Sequence, residues 1–129
     1  MRALGNLPCH TRYCIFARRR EAAFLARASR AAARAFPDVP RRIVGHELFQ
    51  IQQGLNPSDW KPFGSVGSGV HELRVHVEGT FRVLYVAKFP EAVYVLHVFE
   101  KKTRRTLKAD VDLARKRFRD LERWRQRRR

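Results

Sequence analysis

Six basic side chains recur at alternating positions in the middle of this sequence: Arg74, His76, Arg82, Lys88, His97 and Lys101. Side chains of a strand point to alternate faces, so the turns between strands decide whether these six meet. If Pro90 and Glu91 form a two-residue loop, Phe89 pairs with Ala92, His97 lies opposite Leu84 and Phe99 opposite Arg82. The Glu78-Gly79 turn admits two registers. A two-residue loop sets Val75 opposite Arg82, whereas a three-residue loop that includes Thr80 sets His76 there. The longer loop gives the cleaner partition. It gathers Leu73, Val75, Val77, Phe81, Val83, Tyr85, Ala87, Tyr94, Leu96 and Val98 on an apolar face, and leaves the six cations around Leu84, Val86 and Val95. In this reading no acid interleaves with the cations. Six like charges repel and cost stability unless an anion is bound, so the face reads as a cationic groove rather than as solvated strand surface.

Other chemistry finds little support. Paired carboxylates for acid/base work, a Ser-His-Asp set and a metal-binding cluster are not apparent. Cys9 and Cys14, spaced C-x4-C beside His10, lack a second ligand pair at zinc spacing and read as free thiols in a reducing compartment. Gly64, Gly67 and Gly69 lack the Gly-Lys-Ser/Thr ending of a phosphate-binding loop, which leaves flexibility as their role.

The charge distribution points to a polyanion. The 129 residues hold 28 Lys plus Arg against 12 Asp plus Glu, a formal charge of +16. Eight arginines against Glu21 alone fall in residues 1–35, and fourteen Lys or Arg against four acids fall in residues 101–129. The middle is nearly neutral, so basic ends flank an ordinary core. Clustered cations raise the local potential and speed encounter with nucleic acid, a ribosome or an acidic protein. No stretch approaches the ~20 apolar residues of a membrane span, and none reads as a secretory core. The expected location is the cytoplasm.

The elements that position the basic face follow from periodicity. Residues 20–36, rich in Ala, read as a basic helix with Arg27, Arg30 and Arg34 on one side. A second helix has Asp38 as candidate cap, Pro40 in its first turn, Gly54 at its end and a stripe of Val44, Leu48, Ile51 and Leu55. Trp60 to Gly69 reads as a loop. Three β runs follow, Val70 to Val77, Phe81 to Phe89 and Ala92 to Glu100, forming an antiparallel meander. A last helix starts near Thr106, with Leu107, Val111, Ala114, Phe118 and Leu121 as its stripe. The fold class is α+β, a small antiparallel sheet with helices packed on one face and a basic C-terminal helix. The expected organisation is a basic segment 1–35, one domain 36–122 and a basic tail 123–129.

The stretch "GLNPSDWKPFGSVGSGVHELRVHVEGTFRVLYVAKFPEAVYVLHVFEKKTRRT" with the following "DLARKRF" resembles the phage-derived, HigB-like branch of the RelE/ParE toxin superfamily. The resemblance runs from about Phe36 to Phe118, and its most specific pieces are "FRVLYVAKF" and "VYVLHVFEKKT". It implies the toxin of a type II toxin-antitoxin pair that cleaves messenger RNA on the ribosome without metal, by attack of the substrate's 2′-hydroxyl on the adjacent phosphate. By motif, Arg82 matches the family's phosphate-binding strand arginine, and Lys101 sits where members place a terminal basic residue. Arg74 and His76 lie in a strand where members carry basic residues, and His97 belongs to the "VLHVFEKKT" signature. With the basic face, the resemblance points to Arg74, Arg82, His97 and Lys101 for catalysis; His76, Lys88, Lys102, Arg104 and Arg105 are the basic residues expected to bind RNA.

The implied chemistry suits these side chains. The arginines would stabilise charge developing on the phosphate oxygens, while His97 or His76, with Lys101 as an alternative acid, would move the protons. The implied partners are a helix-turn-helix antitoxin, the ribosome and mRNA, with no membrane and no small-molecule cofactor. Two departures stand out: members' tyrosine after the last strand is absent from Thr103 to Leu107, and residues 1 to about 35 do not resemble the family's first strand and helix. Two alternatives stay open, a ParE-like inhibitor of DNA gyrase on the same fold and an inactive nucleic-acid-binding remnant.

Overall fold

The computed structural model describes residues 31–89 and 93–127. The Cys9/Cys14 pair, the basic helix as far as residue 30 and the Pro90-Glu91 turn lie outside the described residues. After a helical stretch at 31–34, the chain runs α1 (Asp38–Gln52), β1 (Trp60–Pro62), β2 (Val70–Val75), β3 (Phe81–Val86), β4 (Tyr94–Glu100) and α2 (Lys108–Arg127). The strands form one antiparallel sheet in the order β1-β2-β3-β4. This is the α+β arrangement with a C-terminal helix that periodicity indicates. Among the described residues no helix is long and apolar enough to cross a membrane.

Several boundaries differ from expectation for local reasons. Asp38 is the first residue of α1 and not its cap; Pro37 precedes the helix, and Asp38 instead pairs with Arg41 and Arg42 (2.8 and 2.9 Å). The chain leaves α1 at Gly54 (φ +86°), which turns Leu55 out to solvent. Trp60–Pro62 is an edge strand, with Trp60 opposite Leu73 and Pro62 opposite His71, where a loop is expected. Five residues, 76–80, join β2 to β3 rather than three, with Glu78 at φ +58° and Gly79 at φ +139°. Arg74 therefore faces Arg82 and Val75 faces Phe81. The shift is two residues, an even number, so every side chain of β2 and β3 keeps its expected face.

On β4 the faces do change. A bulge between Leu84 and Tyr85 pairs Leu84 with His97 but Tyr85 with Val95, leaving Leu96 as the extra residue. Tyr94 and Leu96 consequently join Leu84, Val86 and Phe99 on one face, while Val95 joins Leu73, Val75, Phe81, Val83, Tyr85 and Val98 on the other. The second group packs beneath Phe36 and the α1 residues Val44, Leu48 and Ile51. The first is covered by Ala114, Phe118 and Leu121 of α2, with Val66. Helices thus lie against both faces, and the side read as an open groove is roofed along much of its length.

Apolar burial holds α2 in place. Phe118 and Leu121 are 6% and 1% exposed, and burying such a side chain contributes about 1.5–3 kcal/mol. The helix's exposed ion pairs, Lys108–Asp112 and Lys116–Asp120, fall in the class worth only about 0–1 kcal/mol. One polar contact adds direction: Arg117 Nη1 donates to the carbonyl of bulged Leu96 (2.7 Å). Gly67 is part of this packing rather than a hinge, because a Cβ at that position would strike the Phe118 ring. Gly67→Ala is expected to lower stability by about 1–3 kcal/mol, the usual cost of overpacking. Urea unfolding of the variant measures it; unchanged stability would show that the Phe118 ring moves aside freely.

Candidate functional site

The edge of the sheet sets the first half of the site. Glu47 of α1, 7% exposed, accepts both the backbone N–H and the hydroxyl of Ser58 (3.0 and 2.8 Å). That contact fixes the chain just before Asp59. Asp59 then takes Arg74 in a short ion pair (Nη2–Oδ1 2.6 Å), Arg74 Nε donates to the same oxygen (2.9 Å), and His76 Nε2 lies 3.5 Å from the other oxygen. Burial and the negative charge of Glu47 push the Tyr85 hydroxyl up to about 12, so it stays protonated.

Arg82, directly across the ladder from Arg74, is buried. Its side chain is 8% exposed and faces Glu72, 2% exposed, at Nε–Oε2 3.2 Å. The geometry falls short of a hydrogen bond: Arg82 Nε and Nη1 are both buried with no hydrogen-bond partner among the described residues. Burial lowers the Arg82 pKa, with Arg74 adding to the effect and Glu72 and Asp59 opposing it. Lys61 Nζ approaches the other oxygen of Glu72 at 3.9 Å. The cations therefore do have acids among them. Glu72 shares a face with Arg74 by simple alternation, a signal that was present in the sequence, whereas Asp59 arrives from the loop before β1 and had none.

The second half of the site lies where β4 meets α2. His97 faces Leu84 and stacks on Phe99, ring centroids 4.9 Å apart at 20°. Its Nε2 donates to Asp110 Oδ1 (2.8 Å) in the first turn of α2, and its side chain is 12% exposed. A carboxylate only accepts, so Nε2 carries the proton and Nδ1 is the lone-pair nitrogen of the neutral ring. Burial pulls the His97 pKa below 6.5, opposed by Asp110 and reinforced by Arg117. Arg82 faces Phe99, so His97 is its diagonal neighbour, roughly 7–8 Å away.

The fold thus brings Arg74, Arg82 and His97 together on one face. Lys101 follows at the same end, its backbone N–H donating to the Thr80 carbonyl (2.7 Å). His76 lies beyond the end of β2 and is exposed. Lys102, Arg104 and Arg105 are exposed on the loop that leads into α2, Lys102 at 4.0 Å from Glu100. Lys88 stands apart, about 20 Å along the strand direction from Arg82, with its ammonium on the Ser68 carbonyl (2.9 Å). Among the described residues no three His, Cys, Asp or Glu side chains gather as a metal site. Chemically, the face offers two opposed guanidiniums for an anion and a buried imidazole oriented by a carboxylate.

No curated protein and no solved structure matches the chain significantly. A family model described as phage-derived protein Gp49-like matches residues 32–119, more than half of the sequence and every element from α1 to most of α2. That family is one of RelE/HigB-type toxins of toxin-antitoxin systems, whose members are paired with an antitoxin. The chain belongs to the phage-derived Gp49-like toxin family.

Proposed function

We propose that the protein is a ribosome-dependent, metal-independent messenger-RNA endoribonuclease of the HigB-like branch, acting in the cytoplasm. The observation that carries this reading is the placement of Arg74 opposite Arg82 with the Asp110-bound His97 on the diagonal. The substrate's 2′-oxygen attacks the adjacent phosphorus and loses its proton, the P–O5′ bond breaks, and the leaving 5′-oxygen gains a proton. Arg82 and Arg74 stabilise the charge on the non-bridging oxygens. His97 takes or supplies a proton, with Lys101 as the alternative acid or charge stabiliser at the leaving oxygen. Because Arg82 is buried against Glu72, substrate binding exchanges that carboxylate for a phosphate. His76, Lys88, Lys102, Arg104 and Arg105 hold RNA, and the toxin domain spans 36–122 between the basic segment 1–35 and the tail 123–129. The helix-turn-helix antitoxin masks the cationic face.

The burial of Arg82 favours one competing reading, a gyrase inhibitor that acts by contact and in which the Arg82–Glu72 pair is purely structural. Induction followed by message mapping and plasmid topology decides between them. Cleavage of translated messages supports the nuclease; relaxed or broken DNA with intact messages supports the inhibitor.

A further inference from the structure

Leu96 and His97 are neighbours in sequence, yet the bulge turns both side chains toward α2: Leu96 joins Leu84, Phe99 and Ala114 in the core, and His97 lies opposite Leu84. The extra residue falls outside the regular β3–β4 ladder, and the carbonyl of the fully buried Leu96 is taken by Arg117 Nη1 at 2.7 Å. That carbonyl belongs to the peptide that carries His97. Asp110, seven residues earlier and about 10 Å back along the helix, takes the ring of the same residue at Nε2 (2.8 Å). Asp110, Ala114, Arg117 and Leu121 follow one another at i, i+4, i+7 and i+11, a single stripe on the packed side of α2. The helix thus holds His97 at two points, its peptide and its ring.

Arg117 is also short of a counter-charge. The aspartates of α2 are engaged elsewhere: Asp110 with His97, Asp112 with Lys108 and Arg115 (3.3 and 3.6 Å), Asp120 with Lys116 (3.1 Å). Half-buried Arg117 makes no ion pair among the described residues, and a guanidinium keeps its proton in a protein, so its charge stands unanswered beside the imidazole. The other groups around His97 leave that charge in place. From β3 it faces Leu84, with Arg82 on the diagonal and paired to Glu72, and along β4 it stacks on Phe99. Burial is the main cause that lowers the His97 pKa, Asp110 opposes it and Arg117 adds to it.

We propose that Arg117 is a positioning residue for His97: it pins the bulged peptide that carries the imidazole, and its unpaired charge favours the neutral ring, so that His97 takes the 2′-proton rather than delivering one. The proton passes from the 2′-oxygen to Nδ1, the lone-pair nitrogen, as that oxygen bonds to phosphorus; the P–O5′ bond breaks, and Lys101 or solvent protonates the 5′-oxygen. The part played as base rests on the proposed nuclease activity, whereas the hold of Arg117 on His97 does not.

The test follows the His97 ring by NMR in the full chain from about pH 5 to 8 and reads its titration midpoint. Arg117→Gln keeps a donor for the Leu96 carbonyl and loses the charge; Arg117→Met loses both. Each should move the midpoint upward, opposite in direction to Asp110→Asn, and Arg117→Lys should return it toward the wild-type position. Arg119→Gln, which removes an exposed cation from the solvent side of the same helix, should leave it unmoved. An unmoved midpoint in Arg117→Gln, or an equal shift in Arg119→Gln, would overturn the proposal. The pin has its own readout, hydrogen exchange at the His97 amide, which lies in the held peptide. Exchange should quicken in Arg117→Met and less so in Arg117→Gln; equal exchange in wild type and both variants would remove the pin. On programmed ribosomes the acidic limb of the single-turnover rate should move up with the midpoint. A moved midpoint with a fixed limb would overturn His97 as the base, and a moved midpoint in a protein that cleaves no message would leave the hold of Arg117 on His97 standing and remove only the nuclease.

Discussion

Arg82→Met should lose about 3–5 kcal/mol of stability, whereas Glu72→Leu/Arg82→Met should recover most of it, and both should lose message cleavage by about 100-fold or more. Removing Arg82 alone leaves Glu72, 2% exposed, as a buried carboxylate with only the distant Lys61 to answer it. Replacing both partners removes the charge together with its desolvation cost, and apolar replacements of buried ion pairs are often neutral or better. Urea unfolding gives the stability half, and single-turnover cleavage on programmed ribosomes gives the catalytic half. The double variant is the informative one. If it is stable and cleaves at the wild-type rate, Arg82 is structural and the proposed site fails; if it is stable and inactive, the guanidinium is needed for chemistry and not only for folding.

His97→Ala should slow cleavage by about 10² to 10⁴, the range for a general acid or base. Its pH signature separates catalysis from packing. Burial lowers the His97 pKa beneath 6.5, so the folded protein favours the neutral ring more than the unfolded chain does. The stability this contributes is fully present above pH 6.5 and is lost as the pH falls through that value toward the depressed one. His97→Ala should flatten that acid-side slope. Asp110 is the main group opposing the shift, so Asp110→Asn should lower the pKa further and widen the acid-sensitive window downward. If neutral His97 is the base, the acidic limb of the rate profile moves the same way. Urea midpoints and single-turnover rates measured from about pH 5 to 8 read both. A flattened stability slope with unaltered cleavage would make His97 a structural link between β4 and α2.

A small basic α+β domain was legible in the sequence because its signals are local. The two-residue period of 70–100 sorted Leu73, Val75, Phe81, Val83 and Tyr85 from Arg74, Arg82 and Leu84, and this partition survives a turn two residues longer than expected, since face depends only on parity. The spacing of Ala114, Phe118 and Leu121 gave the buried side of α2 by the same kind of repeat. The motifs around Arg82 and His97 carried the family likeness. Tertiary structure decided what surrounds those residues. The bulge at Leu96 exchanged the faces of Tyr94, Val95 and Leu96, and alternation cannot reveal where one extra residue enters. Asp59 reaches Arg74 from fifteen residues away and Asp110 reaches His97 from thirteen, through a loop and a helix whose docking no period records. Alternation puts Glu72 on the face of Arg82, and the reading of that face as free of acids overlooked it; only packing could take both out of water and make them a buried ion pair, because desolvation depends on what covers a side chain and not on its place in the sequence.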